Sequence, residues 1–505
     1  MSHFFQLTSL ALIWRKLGLV WRWVRNWVTS RRLQEKPIDV QSSFAWQHSP
    51  KKLWLMIQPQ HAQHDYQHRF MINMLVGLGI ILLAFLLRDS PFLKGIENEG
   101  IDTLMQIRQK IIPANPTISS FVWLDIDDNT HQAWNAPMFT PRDRLHHLIN
   151  AAVDAEARLV IVDVDLSRKT PMNGLEEYTK GLELHPYDQA LSDYLRNYKA
   201  ACSRKLTCPP IILARTFQPS TASRNDTRPS FLDEATKKSA PYVQWGSTLF
   251  FRDPYEHKIR HWWLWQPACT AEQPTVIPSI ELLAAGLIRN GLSQSTGLEK
   301  ELQPFQLQDC TGTSTTHLPP ENVQIGQLTV STGQHGIKQR IMFSLPWKVN
   351  NEKKIKYSQK DKMGKTIISI FRAKDFAELP LTVNLDALKN SVVVIGGSYR
   401  GGRDYANLTP LGEMPGALII INAIYTLLEY GEIKPLPIWV KVLTYIGLLV
   451  LMSYVLARYG YGLGSIILGV FVLVVLIPCS ILLFSYGIWL DFMLPLSVVM
   501  QLLPL

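Results

Sequence analysis

Charge and cysteine are scarce in this sequence, and glycine and proline are not in excess. Charged residues make up 18% of the 505 positions, against about 25% in a typical soluble domain, so a purely soluble enzyme is disfavoured. The 29 glycines and 31 prolines are ordinary fractions, which excludes collagen-like and disordered chains. The five cysteines include no CxxC pair and have no histidine at ligand spacing, which argues against a zinc site.

Arrangements that mark common enzyme classes are missing as well. Residue spacing yields no Ser-His-Asp or Cys-His combination for nucleophilic catalysis. The segment 124–130, LDIDDNT, is similar to the first motif of haloacid-dehalogenase phosphatases, but no Lys-plus-acid motif follows it. We therefore predict that the protein is not an enzyme and needs no cofactor and no metal. An extracytoplasmic hydrolase is the least favoured alternative.

The net charge of +10 is concentrated at one end of the chain. Residues 1–69 carry ten Lys and Arg against three acids, a net +7, so only +3 remains for the other 436 residues. Within residues 10–29 a basic helical face opposes an apolar face rich in Trp, which is typical of a helix lying in the membrane interface. Packing on a partner protein is the alternative, and nucleic-acid binding is disfavoured. The predicted lipid-contacting residues are Trp14, Arg15, Trp21, Arg22, Arg25 and Trp27.

Long apolar runs predict four transmembrane helices, at 70–88, 438–457, 463–484 and 488–505, because about 20 apolar residues span a bilayer. The last run contains Asp491 and two prolines. Basic residues stay on the cytoplasmic side, so the segment 1–69 and both termini are expected in the cytoplasm. The segment 89–437 is then expected outside.

Four of the five cysteines fall in that outside segment, where disulfides form. Three pairings of Cys202, Cys208, Cys269 and Cys310 are possible. We favour Cys202–Cys208 with Cys269–Cys310, because six residues' spacing suits a small closed loop.

The outside segment reads as an α/β domain. Apolar runs at 121–130 and 158–167 predict buried strands, and the helical pattern at 141–157 between them completes a βαβ unit with parallel strands. We expect a mixed sheet, with loops and sheet edges at 290–340 and 348–362. Further strands are predicted at 209–216, 341–347 and 391–398, a hairpin at 243–267, and helices at 89–116, 187–198, 278–288 and 416–431.

Two groups of residues are candidates for ligand binding. Asp125, Asp127, Asp163 and Asp165 follow neighbouring strands, where open α/β sheets place their ligands, and they suit a cation or a basic ligand. The alternative is that they cap helices and pair with Arg142 and Arg144. The glycine-rich stretch 396–404 lacks the Gly-Lys-Ser/Thr of a phosphate loop, so turn geometry is favoured over a small-ligand loop. The candidates in and around these groups are Arg142, Gly396, Gly397, Gly401, Asp404 and Thr409.

Three blocks of sequence resemble the CHASE2-domain family. They are 121–167 with LDIDDNT, TPRDRLHHLINAA and RLVIVDVDLS; the Gly246-Ser247 to Leu282 region; and 392–428, from VVVIGGSYRGG to INAIYTLL. The resemblance implies a bacterial extracytoplasmic sensory domain with one span before it and about three after it. The protein would then lie in the inner membrane with this domain in the periplasm.

The sequence departs from that family in places. Relatives often have a Trp before the proline that matches Pro141, and they usually continue into a cyclase, kinase or diguanylate cyclase, whereas this sequence ends at Leu505. We therefore expect a sensor or scaffold without its own catalytic output, acting with membrane lipid and other envelope proteins as an oligomer or complex subunit. The alternative is a structural inner-membrane subunit of a multiprotein envelope or secretion complex.

Overall fold

A seven-stranded sheet takes its strands from residues 121 to 397. Its strands, numbered in chain order, are β1 (Phe121–Ile126), β2 (Leu159–Asp163), β3 (Ile211–Arg215), β4 (Val243–Ser247), β5 (Ile355–Lys360), β6 (Thr366–Arg372) and β7 (Val392–Gly397). This computed structural model describes residues 63–87, 90–111, 119–171, 184–202, 208–218, 226–292, 295–307, 309–310, 322–325, 328–331, 339–347, 355–360, 366–378, 385–402 and 405–490.

The strand order is β5-β6-β1-β7-β2-β3-β4. Only the edge strand β5 is antiparallel to its neighbour; the six other strands run parallel. The predicted βαβ unit is present, but β7 inserts between β1 and β2 and pairs with both. The sheet is therefore mixed, as the sequence predicted, and its core is parallel.

Helices cover both faces of the sheet. One face packs against the helices Pro91–Ile111, Ile280–Asn290 and Gly416–Glu429, and the other against Arg142–Asp154, Pro186–Cys202 and Asp233–Ser239. Because side chains alternate along a strand, Trp123 and Ile161 enter the first layer while Val122 and Val160 enter the second. The helices are α1 (Gln63–Leu86), α2 (Pro91–Ile111), α3 (Asp128–Ala133), α4 (Arg142–Asp154), α5 (Pro186–Cys202), α6 (Asp233–Ser239), α7 (Ile280–Asn290), α8 (Ser295–Leu302), α9 (Lys374–Ala377), α10 (Gly416–Glu429), α11 (Ile438–Phe471) and α12 (Ile477–Ser485).

Two parts of the strand prediction were wrong. The segment 341–347 is not a strand, because α10 side chains take up part of its backbone hydrogen bonding, as described below. The start of the predicted hairpin at 243–267 is instead β4, and the hairpin pairs Phe250–Arg252 with Ile259–Trp262. A second hairpin, Trp265–Thr270 with Gln273–Pro278, follows directly.

Two helical stretches among the described residues are long and apolar enough to cross a membrane, Tyr66–Leu83 and Ile438–Ser485. The second has 48 residues, about 70 Å of helix at 1.5 Å per residue, which exceeds one bilayer of about 30 Å. It breaks at Gly460, whose φ of 70° and ψ of 172° are not helical. Of the predicted fourth span, Ile488–Trp489 forms a short strand beside Lys434–Pro435, and 491–505 lie outside the described residues.

The α1 helix packs on α11 through a close approach at Gly77. A Cβ atom at Gly77 would lie 2.2 Å from the Leu449 Cδ1 atom, so the leucine side chain packs directly against the glycine. Tyr66 also meets Tyr454 edge-on, with ring centroids 6.3 Å apart. Small residues allow this kind of helix approach in membranes.

The two predicted disulfides are confirmed. Cys202 is bonded to Cys208 with a Cα–Cα distance of 5.4 Å, and Cys269 to Cys310 with 6.0 Å. The predicted interfacial residues lie outside the part of the chain that the structure describes; they are Trp14, Arg15, Trp21, Arg22, Arg25 and Trp27.

Candidate functional site

The carboxyl ends of the strands bring several predicted site residues to one edge of the sheet. In the strand register, Asp125 of β1 lies opposite Gly396 of β7 and Arg372 of β6. Asp163 of β2 lies on the other side of Gly396. Because β7 inserts between β1 and β2, the glycine turn separates the two acids. Asp125 is fully buried, whereas Asp163 is partly exposed.

Asp127 acts as a helix cap. Its carboxylate accepts a hydrogen bond of 2.8 Å from the Thr130 backbone N–H, which satisfies one of the orphan donors at the start of α3. Its other oxygen lies 3.7 Å from Nε of Arg372. The predicted capping role is therefore seen here, with an arginine that sequence reasoning had not named.

Asp165 is held by hydroxyl groups. Its Oδ1 atom accepts hydrogen bonds from the Ser167 N–H at 2.9 Å, the Ser167 hydroxyl at 2.6 Å and the Thr216 hydroxyl at 3.0 Å. Burial alone would raise the pKa of Asp165, but these hydrogen bonds and the charge of Arg228 outweigh it and lower that pKa. The carboxylate is thus ionised and already engaged.

Arg142 is almost completely buried at the first turn of α4. Its Nη2 atom donates to the backbone oxygens of Asp165 at 3.0 Å and of Arg168 at 3.2 Å, and its Nε atom lies 3.9 Å from Asp188. Burial lowers the pKa of Arg142, while the charges of Asp188 and Asp165 oppose that effect. The expected carboxylate partners were Asp125, Asp127, Asp163 and Asp165; the observed one is Asp188.

The glycine turn after β7 has a packing reason. A Cβ atom at Gly396 would lie 2.9 Å from Cβ of Ala417, at the start of α10. At Gly397 and Gly401 the nearest atoms belong to the Tyr399 ring, 3.1 Å and 3.6 Å away. Close helix–strand packing therefore accounts for Gly396, whereas the predicted reason was turn geometry.

The last two candidates are Thr409 and Asp404. The Thr409 hydroxyl donates to Gly412 O at 2.6 Å and accepts from the Leu411 N–H at 3.3 Å, so it closes the turn of a small hairpin. Asp404 lies outside the described residues. Among the described residues, no group of three or more His, Cys, Asp or Glu side chains is placed to hold a metal ion.

A buried ionic cluster was missed by the sequence reasoning. Asp102 of α2 accepts hydrogen bonds from two buried arginines: from Arg260 at 2.9–3.3 Å, and from Arg340. Burial lowers the pKa of Arg340 to about 10, against the opposing charge of Asp102, so both arginines are charged at neutral pH. Charged residues within the apolar patterns at Asp102 and before 341–347 were the available signal.

A second ionisable group is buried, and the described residues place no charged partner beside it. Glu281 is fully buried in the first turn of α7, and within the described part of the chain its carboxyl oxygens make no hydrogen bond of good geometry. Burial raises the pKa of Glu281 to about 8; the nearby Ser279 hydroxyl and its own backbone N–H oppose this only weakly. The group is therefore protonated at neutral pH.

The segment from residue 90 to residue 437, which we call the outer domain because the sequence predicts that it lies outside, shares one hydrophobic core with the apolar helix α12. Ile481 and Phe484 of α12 and the following Trp489 are buried in the same cluster as Ile101 and Leu104 of α2.

A model of the CHASE2 domain family matches residues 79–457, which is most of the chain and includes the whole outer domain. No curated protein and no solved structure is detectably similar to it. The match covers all three blocks on which the resemblance was based.

Proposed function

Because the chain belongs to the CHASE2 domain family, whose members are extracytoplasmic sensory domains, we propose that it is a membrane sensor. In this proposal the outer domain binds a ligand or a protein, and the membrane helices pass the change to partner proteins in the cytoplasm. The observation that carries the proposal is the core shared by α2 and α12. A joint core transmits displacement, because tightly packed interiors shift as units.

We propose four spans in a bacterial inner membrane, with 89–437 in the periplasm and both termini in the cytoplasm. The break at Gly460 divides 438–485 into two halves, each long enough to cross a bilayer. The pairing of Lys434–Pro435 with Ile488–Trp489 supports a helical hairpin that starts and ends on the same side. The fourth span and the lipid-bound N-terminal helix rest on the sequence alone.

Output through partners, rather than catalysis in the outer domain, fits the state of the strand-end acids. Asp127 caps α3 and faces Arg372, and Asp165 is engaged by Ser167 and Thr216. A general acid or base needs a carboxyl that can exchange protons with substrate. Asp163, which lies at the carboxyl end of β2 and is partly exposed, is the position at which we test ligand binding.

Ligand binding is tested with the full chain in lipid nanodiscs, by following thermal unfolding through tryptophan fluorescence. Calcium, spermidine and free amino acids are added one at a time. We expect at least one to raise the unfolding temperature of the wild type but not of Asp163→Asn. Asp193→Asn, an exposed carboxylate on α5 paired with Arg196, is the matched control and keeps the response. Equal responses in all three proteins, or none in any, would contradict a ligand site at the strand ends.

Partner output is tested by native purification with crosslinking mass spectrometry. A sensor is expected to crosslink to cytoplasmic proteins through residues 1–69. A fixed, stoichiometric set of membrane proteins whose amount no added compound changes would favour the structural-subunit alternative.

A further inference from the structure

An extended segment, residues 339–347, lies between the two helices that connect the outer domain to the membrane. We call it the strap. One of these helices, α2, follows α1, and the other, α10, leads into α11. The strap residues Ile341, Met342 and Phe343 are fully buried, yet they belong to no strand.

On one side, α10 side chains bind the strap backbone. Asn422 Oδ1 accepts hydrogen bonds from the backbone N–H groups of Ser344 and Leu345, both at 2.9 Å, and its Nδ2 donates to Leu345 O at 3.0 Å. One turn later, the Thr426 hydroxyl accepts from the Met342 N–H at 3.1 Å. These two side chains make hydrogen bonds to the strap backbone that a neighbouring strand would otherwise make.

On the other side, α2 binds the strap through charged groups. Arg340 donates to Asn98 Oδ1 at 2.6 Å, to the Asn98 backbone oxygen at 3.2 Å and to Asp102. Nearer the C-terminal end of α2, Arg108 Nη1 donates to the Ser344 hydroxyl at 3.0 Å. Both faces of the strap are thus fixed to a membrane-connected helix by buried polar contacts.

We infer that the strap is the relay that fixes α2 against α10 and thereby sets the packing of α1 on α11. Separating the strap from either helix would leave buried polar or charged groups unpaired, which is costly, so the three elements move together. The contacts are few and directional, and such networks favour discrete arrangements over gradual deformation. The inference rests on the proposed sensory function, but concerns how a change travels rather than what is bound.

The test uses a disulfide reporter within the membrane. Gly77→Cys and Leu449→Cys place thiols where α1 packs on α11, and Cys479→Ser removes the cysteine that is not in a disulfide among the described residues. In membranes of the full chain, the rate of disulfide formation is measured after a pulse of oxidant. Thr426→Val removes the strap hydrogen bond while keeping the side-chain shape, and Thr426→Ser retains the hydroxyl. Thr236→Val makes the same change in a buried threonine on α6, away from the strap.

We expect Thr426→Val to change the crosslinking rate at least about fivefold, the lower end of typical coupling between linked sites. Thr426→Ser and Thr236→Val should stay near the unmodified reporter. Ser344→Ala, which removes the Arg108 contact on the opposite face, should act in the same sense as Thr426→Val. If Thr426→Val and Ser344→Ala both crosslink at the same rate as Thr236→Val, the strap does not act as a relay.

The ligand panel is run on the same variants, so the two proposals fail separately. If a compound stabilises the protein but the strap variants leave the crosslinking rate unchanged, only the relay proposal is contradicted. A protein whose crosslinking responds to the strap, but which no compound stabilises, would contradict the strand-end ligand site alone.

Discussion

The buried carboxyl of Glu281 makes the stability of the outer domain depend on pH. Burial raises the pKa of Glu281 from its ordinary value of 4.5 to about 8, whereas in the unfolded chain the group titrates near 4.5. Between these values the folded protein binds more protons than the unfolded chain, so stability falls as the pH rises. Each pKa unit corresponds to about 1.4 kcal/mol, so the cost of Glu281 at pH 7 is about 3 kcal/mol.

Glu281→Gln removes the titration and keeps the shape of the side chain. We expect it to raise the free energy of unfolding by about 3 kcal/mol at pH 7 and by less than about 1 kcal/mol at pH 5. The assay is urea unfolding of the full chain in nanodiscs, followed by tryptophan fluorescence from pH 5 to 8.5. Glu156→Gln, in a surface ion pair with Lys389, is the control and should shift stability by less than about 1 kcal/mol. Parallel pH curves for wild type and Glu281→Gln would contradict a raised pKa for Glu281.

Three further predictions follow from the same structure. Asp102→Asn takes from buried Arg340 the carboxylate that accepts its hydrogen bond, while Arg260 keeps Glu256, and it should lower the free energy of unfolding in urea by about 3–5 kcal/mol. Glu99→Gln, on the exposed side of that cluster, should lower it by less than about 1 kcal/mol; equal losses would contradict the burial argument. Replacing Cys269 and Cys310 by serine should lower the free energy of unfolding by about 4 kcal/mol, and replacing Cys202 and Cys208 by about 2 kcal/mol, because the first disulfide closes the longer loop. A larger loss for the Cys202–Cys208 pair would contradict this explanation. Gly460→Val puts a branched side chain where glycine is required and should lower stability by about 1–3 kcal/mol, with increased protease cleavage near 460; an unchanged digest would contradict the break.

The elements with a strong local signal were predictable. β1, β2 and β7 are short apolar runs that end in acids or glycines, and the pattern between β1 and β2 is helical. The placement of Asp125 and Asp163 at one sheet edge followed from the parallel arrangement alone. The disulfide pairing followed from the close spacing of Cys202 and Cys208.

Elements defined by distant partners were not predictable. The sequence TIISIFR of β6 resembles any buried apolar run. Its place in the sheet depends on pairing with β1, which is distant in the sequence. The strap looks like a strand, because residues 341–347 are apolar, but Asn422 and Thr426 take up its backbone groups. The arginine partners of Asp102 lie more than 150 positions further along the chain, so the spacing of charged residues in the sequence does not reveal them.

The most direct test of the proposed sensor is to determine on which side of the membrane the outer domain lies. In intact cells, with Cys479→Ser as background, single cysteines replace Tyr255, exposed in the outer domain, and Tyr459, exposed at the turn between the two halves of the long helix. A membrane-impermeant maleimide is expected to label position 255 at once and position 459 only after the membrane is opened. Labelling of position 255 only in opened cells would place the domain in the cytoplasm and contradict the sensor proposed here.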